Sequence, residues 1–149
     1  MTDQATLEAN RRIGRRVLLE LWSAGRLEVA DELYSPDYVD RVSRGPEAAE
    51  VRGPGGIKQA VTMFRTAFPD LQYTIEEEMA ERDLVITRFS ARGTHHGPFL
   101  AAAPTGRSIA YTGVDINRIV DGQIVESWVN YDALGLLQQV GLVPPISGV

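Results

Sequence analysis

The period of the apolar residues changes once along the chain, from that of a helix in the first half to that of a strand in the second. Ile13, Val17 and Leu21 recur every four residues, as on one helical face, and Gly25 can end that helix. From Leu71 onwards apolar and polar residues alternate, as in strands with one buried face. Helices followed by hairpin-linked strands predict an α+β domain, with a helical layer over a curved antiparallel sheet.

Three further helices are expected. A short one over 27–33 ends before Ser35-Pro36, because proline disfavours helical geometry in the preceding residue. A loop rich in Gly, Pro and charge is predicted over 44–56, and a helix over 57–68 follows it. The last helix is expected over 133–140.

The strands are predicted over 71–76, 84–92, 109–119 and 124–131. Asp121-Gly122 is a strong signal for a two-residue hairpin between the last two of them. No repeat, low-complexity tract or linker divides the chain. We therefore expect one domain over residues 1–149, whose curved sheet and helices enclose a cavity for a small molecule.

The net charge of −5 and the pI near 5.0 argue against nucleic acid as a partner, since phosphate binding needs a surplus of Lys and Arg. Arg11, Arg12, Arg15 and Arg16 are a local exception that suits a solvated helix face or a subunit contact. The chain contains no cysteine, which excludes thiol nucleophiles and disulfides. No signal peptide or membrane-spanning run is apparent, so no membrane partner and a cytoplasmic location are expected.

Three segments carry a resemblance to a known family. They are RGTHHGPFLAAAPTGR over 92–107, NRIVDGQIVESW over 117–128 and DALGLLQQVG over 132–141. With the order of the elements, they make the chain resemble the SnoaL-like polyketide cyclases of the nuclear transport factor 2-like superfamily. The resemblance implies a cone-shaped α+β barrel, a small hydrophobic ligand with polar groups, no metal or organic cofactor, and a homodimer or higher homo-oligomer. Members of that superfamily include cyclases, isomerases, dehydratases, epoxide hydrolases, hydroxylases and plain ligand binders, so fold alone does not fix the reaction.

Asp115 is the first candidate for chemistry. It lies in the middle of a predicted strand, where Asp is depleted, on the face that also carries Gly113, Asn117 and Ile119. If that face borders the cavity, burial would raise the pKa of Asp115 and suit it to acid–base work. If it faces solvent, Asp115 is an ordinary surface charge. By the resemblance, this position contacts substrate in the cyclases.

The same resemblance exposes a departure at Val129. The cyclases carry their acid–base aspartate on the last strand, seven residues after the hairpin glycine, which is Gly122 here. Valine cannot transfer a proton. Three hypotheses follow. The protein is a cyclase or isomerase of a polyketide-like or terpenoid-like molecule that uses Asp115 or another acid, a non-catalytic ligand-binding or assembly protein, or an epoxide hydrolase or hydroxylase.

Further candidates come from the other segments. Tyr38 and Asp40 match a segment from which family members project polar groups toward the ligand. His95 could act as an acid or base near neutral pH. Arg88 could point inward and pair with Asp115 or Asp40, or point outward as a surface charge. The predicted catalytic residues are thus Asp115, Asp40 and His95. The predicted substrate-binding residues are Tyr38, Met63, Phe64, Arg88, Asn117, Trp128, Val129 and Tyr131. A metal site is not expected, because the chain has two histidines and no cysteine.

Overall fold

The computed structural model describes residues 1–41 and 50–148, and over these it confirms the α+β fold that the change of period predicts. The helices are α1 (Gln4–Arg16), continued by a π-helical segment (Val17–Ser23), α2 (Val29–Leu33), α3 (Gly53–Ala67) and α4 (Ala133–Gln139). The strands are β1 (Tyr34–Asp40), β2 (Gln72–Glu81), β3 (Leu84–Thr94), β4 (Ser108–Val120) and β5 (Gln123–Tyr131).

The five strands form one sheet in the order β1-β5-β4-β3-β2. Strands β2 to β5 pair antiparallel, as the sequence analysis predicts, and Asp121-Gly122 connects β4 to β5. Strand β1 was not predicted, and it pairs with β5 in parallel, which makes the sheet mixed. The sequence pattern does not reveal this strand, because Pro36 interrupts the alternation of apolar and polar residues. The pairing register shifts between Tyr34 and Val39, so the proline sits at an edge strand, where a missing N–H group is tolerated.

Helix α3 begins earlier than the sequence suggests. The loop was predicted to run to residue 56, but the helix starts at Gly53, because Pro54 occupies the first turn, where its fixed φ favours a helix start. Residues 44–49 of that predicted loop lie outside the described residues. Helix α1 begins at Gln4, where the Asp3 side chain accepts a hydrogen bond of 2.7 Å from the Thr6 backbone N–H.

The helices cover one face of the sheet, and the core lies between the two layers. Its fully buried members come from both layers and include Leu21, Val29, Val61, Phe68 and Val85.

Arg65 of α3 connects the helical layer to the start of the sheet by hydrogen bonds. Its guanidinium donates hydrogen bonds to the backbone carbonyls of Trp22, Ser23, Pro69 and Leu71. These carbonyls belong to the end of the π-helical segment and to the turn before β2. Carbonyl groups at a helix end have no N–H donor within the helix, so they need another partner. Arg65 therefore holds the π-helical segment against the start of β2, a role that sequence periodicity does not reveal.

Within the described parts of the chain, no helix combines the length and the apolar character needed to cross a membrane.

Candidate functional site

A cavity of about 440 Å³ lies between the helices and the inner face of the sheet. Its volume falls within the range of small-molecule sites, and its wall is mostly apolar and aromatic. The helical side of the wall consists of Val17, Leu18, Trp22, Gly56, Ile57, Gln59, Ala60, Met63 and Phe64, with Glu50 and Val51 beside them. The sheet contributes Tyr34, Tyr38, Asp40, Tyr73, Phe89, Tyr111, Asp115, Ser127, Val129 and Tyr131.

Asp115 lies on the inner face of β4, at the cavity wall, and is 5% exposed. Burial raises the pKa of its carboxyl group from 3.8 to about 7, and the nearby charge of Asp40 acts in the same direction. A hydrogen bond from Asn117 opposes this rise because it favours the ionised form. The result is a carboxyl group that exchanges its proton near neutral pH, as general acid–base catalysis requires.

Two buried polar side chains hold this carboxyl group in place. Ser127 donates a hydrogen bond of 2.5 Å to Oδ1 of Asn117, and Asn117 donates one of 2.8 Å from Nδ2 to Oδ2 of Asp115. Asn117 and Ser127 are paired neighbours on β4 and β5, so the backbone register brings them together. The hydroxyl group of Ser127 and the side-chain oxygen of Asn117 are therefore hydrogen-bonded to each other. Oδ1 of Asp115 keeps no hydrogen-bond partner among the described residues.

Strand β1 brings a second carboxyl group and two phenols to the same wall. Tyr34, Tyr38 and Asp40 are buried, and the rings of the two tyrosines meet edge to face with centroids 4.7 Å apart. Asp40 pairs with Ser127 in the β1–β5 register, which places it near Asp115. Burial, followed by the neighbouring Tyr38 and Asp115, raises the pKa of Tyr34 well above its usual range. Tyr34 is therefore a neutral phenol at physiological pH.

The structure also places Met63, Phe64, Val129 and Tyr131 in the cavity wall. Asn117 lies one layer behind it, since it contacts Asp115 rather than the cavity. Val129 is the register partner of Asp115 on the neighbouring strand. The position where the resemblance implies an aspartate is therefore adjacent to Asp115.

Arg88 and Trp128 were predicted to bind substrate, but their side chains lie on the outer face of the sheet and outside the described cavity wall. Arg88 is exposed and pairs with Glu77, with Nε 3.1 Å from Oε2. Trp128 packs under the guanidinium of Arg118, 5.6 Å from the ring centroid. Neighbours on a strand point to opposite faces, so the inward position of Val129 sends Trp128 outward.

His95 was predicted as a catalytic residue, but it lies outside the cavity wall. Its ring is fully buried, 5.5 Å from that of Phe68 between centroids. Nδ1 accepts a hydrogen bond of 3.2 Å from the Thr105 backbone N–H and lies 3.0 Å from the Thr105 hydroxyl. His95 therefore closes the connection between β3 and β4.

Sequence reasoning missed a pair of phenols in the wall. The hydroxyl groups of Tyr73 and Tyr111 lie 2.6 Å apart and share a hydrogen bond. The signal was present, because Tyr111 shares its strand face with Asp115, and Tyr73 belongs to the inward set of Leu71 and Ile75. What the sequence could not show is that the two rings meet.

The donor set of the described residues includes no group of three or more His, Asp or Glu side chains placed to hold a metal ion.

The curled sheet covered by helices, with a cavity between the two layers, defines a member of the nuclear transport factor 2-like class of α+β folds. The sequence profile described as SnoaL-like polyketide cyclase matches residues 13–140, and the chain belongs to that family.

Two characterised relatives illustrate the family. The aklanonic acid methyl ester cyclase DnrD of Streptomyces peucetius is 28% identical over 131 residues, which cover 85% of this chain and 87% of the relative. The nogalonic acid methyl ester cyclase of Streptomyces nogalater is 28% identical over 125 residues, covering 83% and 92%. Among solved structures, AclR from Streptomyces galilaeus superposes with a TM-score of 0.81 at 28% identity, covering 95% of this chain and 87% of AclR.

Proposed function

We propose that the protein is a cyclase that closes a ring in a polyketide-like molecule, with Asp115 as general acid–base and without a metal or organic cofactor. The observation that carries this proposal is a buried carboxyl group at the wall of a small-molecule cavity, with a pKa of about 7. The names of two relatives support it, since both are named as cyclases of acid methyl esters.

The proposed reaction is an intramolecular aldol closure. The Asp115 carboxylate removes a proton from a carbon atom next to a carbonyl group, and the electron pair of the C–H bond moves onto that oxygen as an enolate. The enolate carbon then attacks a second carbonyl carbon of the same molecule. The π electrons of this second carbonyl move to its oxygen, which takes the proton back from Asp115. Product and substrate have the same composition, so one carboxyl group acts first as base and then as acid.

The charge of the cavity favours a neutral substrate. Asp40, Glu50 and Asp115 contribute carboxyl groups to the wall, whereas the described lining residues include no Lys, Arg or His. Glu50 is ion-paired with Arg52, so the repulsion comes mainly from Asp115. A free carboxylate on the substrate close to the buried Asp115 would place two like charges in a poorly solvated space, which is costly. A methyl ester removes that charge. The electrostatics of the wall thus agree with the esters that the two relatives are named for.

The valine at position 129 is compatible with this proposal. Asp115 and Val129 are register partners, and both line the cavity. A carboxyl group on β4 can therefore serve the space that a carboxyl group at 129 would serve from β5. Valine in turn supplies apolar wall beside Asp115, and low polarity helps to keep the pKa of that group raised.

The test uses aklanonic acid methyl ester and nogalonic acid methyl ester as substrates, with chromatography that separates a cyclised product of unchanged mass. Asp115→Asn should lower the rate at least about a hundredfold, because a positioned acid–base group contributes this much or more. Asp37→Asn is the matched control, since Asp37 lies on β1 but is exposed. Full activity of Asp115→Asn would refute the mechanism.

A second candidate is a ligand-binding protein without chemistry, which the valine at the family's acid–base position favours. The same experiment separates the two functions. Binding of both esters by the wild type, with neither converted, would favour the binding protein. Turnover that depends on Asp115 would favour the cyclase.

We also propose that the protein forms a homodimer or higher homo-oligomer through the outer face of the sheet. Val114, Ile116 and Trp128 leave apolar surface on this face, and Val114 is 36% exposed. Light scattering after size-exclusion chromatography should give at least twice the monomer mass. Val114→Glu should lower it, whereas a monomeric wild type would refute the proposal.

A further inference from the structure

Tyr73 and Tyr111 meet across three strands of the sheet. Tyr73 on β2 and Tyr111 on β4 are both register partners of Ala91, which lies between them on β3. The methyl side chain of Ala91 leaves the space above it open, and the two rings lean over it until their hydroxyl groups are 2.6 Å apart. Both tyrosines are buried, and both belong to the cavity wall.

The pair of hydroxyl groups has one proton more than its shared hydrogen bond uses. Two hydroxyl groups carry two protons, and the hydrogen bond between them uses only one. No other acceptor among the described side chains or backbone groups takes the second proton. Burial, as the largest cause, raises the pKa of both phenols, so neither ionises near neutral pH. One donor is thus left at the cavity wall, and a buried donor is stabilised by an acceptor on whatever fills the cavity.

The surroundings of the pair are aromatic. The ring of Trp22 lies 5.9 Å from Tyr73, that of Phe89 lies 5.2 Å from Tyr73, and that of Tyr131 lies 5.4 Å from Tyr111, between centroids. Such walls accept fused rings, whose edges and faces pack against them. The acceptor that suits a neutral phenol donor among neutral ring systems is a carbonyl oxygen.

We propose that the Tyr73–Tyr111 pair is a carbonyl-binding subsite that holds one carbonyl oxygen of the substrate and thereby orients it. The proposal rests on the proposed function, for which it names the residues that orient the substrate. Tyr111 and Asp115 share the inner face of β4 and are about 13 Å apart between Cα atoms, as four residues of strand require. A rigid ligand fixed at one end by the phenols therefore presents its other end to Asp115.

The experiment uses fluorenone as a probe and fluorene, which has the same rings without the carbonyl group, as its partner. Affinities are measured by quenching of tryptophan fluorescence, and the carbonyl stretch of bound fluorenone by infrared difference spectroscopy. The wild type should bind fluorenone about tenfold more tightly than fluorene, the value of one net hydrogen bond. The carbonyl stretch should move to lower wavenumber than in an apolar solvent.

The decisive variant is the double replacement Tyr73→Phe and Tyr111→Phe. It removes both partners of the hydrogen bond and keeps the rings, so it leaves no unsatisfied group and should fold. The preference for fluorenone and the wavenumber shift should both disappear. Tyr34→Phe is the matched control, since it deletes a buried phenol oxygen elsewhere in the same wall and should preserve both.

Three outcomes would overturn the subsite: no saturable binding of fluorenone, a wild-type stretch equal to that in an apolar solvent, or a shift that survives the double replacement. Asp115→Asn separates this proposal from the proposed function. It should keep the fluorenone shift, because the probe needs no proton transfer. If Asp115→Asn retained full turnover while the shift depended on the phenols, the mechanism would fail and the subsite would stand.

Discussion

Asn117 donates a hydrogen bond of 2.8 Å to Asp115, which lies two residues earlier on the same strand. Residues two apart on a strand share a face, so the amide and the carboxyl group are buried side by side. Burial raises the pKa of Asp115, and this hydrogen bond limits the rise, which leaves the pKa at about 7. The proposed acid–base role of Asp115 near neutral pH depends on this balance.

The first prediction concerns the dependence of kcat/KM on pH. If Asp115 must be ionised to act as base, kcat/KM rises with pH and levels off above a midpoint of about 7. Asn117→Ala removes a donor that favours the ionised form, so the midpoint should move to higher pH. Rate profiles with the two methyl esters measure it. Asn130→Ala, at an exposed position of β5, should leave the midpoint in place. An unchanged midpoint in Asn117→Ala would contradict the role given to Asn117.

The second prediction concerns stability. The pKa of Asp115 is about 7 in the folded protein and near 3.8 when unfolded, so the folded state binds more protons between these values. Stability from this group is present at low pH and is lost as pH rises from about 4 to about 7. The difference between the two pKa values corresponds to ~4 kcal/mol in the free energy of unfolding, as an upper estimate.

In Asp115→Asn the side chain is neutral at every pH, so the variant does not lose this stability as the pH rises. Urea unfolding of the wild type and the variant, at several pH values, should show the variant gaining relative stability up to about pH 7 and no further. A difference in the free energy of unfolding that does not vary with pH would show that Asp115 titrates normally in the folded protein.

The third prediction concerns ligand charge. Fluorenone carboxylic acid should bind at least about tenfold more weakly than its methyl ester at neutral to basic pH, because its carboxylate meets acidic side chains without a cation in the described wall. Asp115→Asn should narrow the gap by removing the ionised form of a buried carboxyl group from the wall. Paired titrations of acid and ester measure it. Equal affinities would indicate that the cavity does not select by charge.

The fourth prediction concerns Gly113, against which the side chains of Phe89 and Tyr131 pack. A Cβ atom there would lie 2.6 Å from Cζ of Phe89, 2.7 Å from the backbone oxygen of Asn130 and 2.9 Å from Cβ of Tyr131. Gly113→Ala should therefore destabilise the protein by about 1–3 kcal/mol, as overpacking does. Gly55→Ala is the control, since a Cβ in that helical position meets nothing within 4 Å. Thermal melts of both variants check the contrast, which a wild-type melting temperature for Gly113→Ala would refute.

Part of the site could be predicted because strand alternation is a local property. Period 2 grouped Asp115 with Gly113 and Asn117, and their strand face is the inner one. On β3 the same rule grouped Arg88 with Leu84, Ile86 and Ser90, yet the opposite face carries Val85, Thr87 and Phe89. Both faces include apolar residues, so alternation alone did not say which one is buried. The helices packed over the sheet decided it and left Arg88 outside.

The sequence by itself determined the order of the helices and of strands β2 to β5, the hairpin at Asp121-Gly122 and the family, because these depend on neighbours along the chain. The tertiary structure alone decided which distant groups meet. Strand β1 joins the sheet beside β5 and brings Asp40 near Asp115, although 75 positions separate them in the numbering. Tyr73 and Tyr111 share a hydrogen bond across an intervening strand. Such contacts follow from strand register and packing, for which no pattern within a single segment is a sufficient signal.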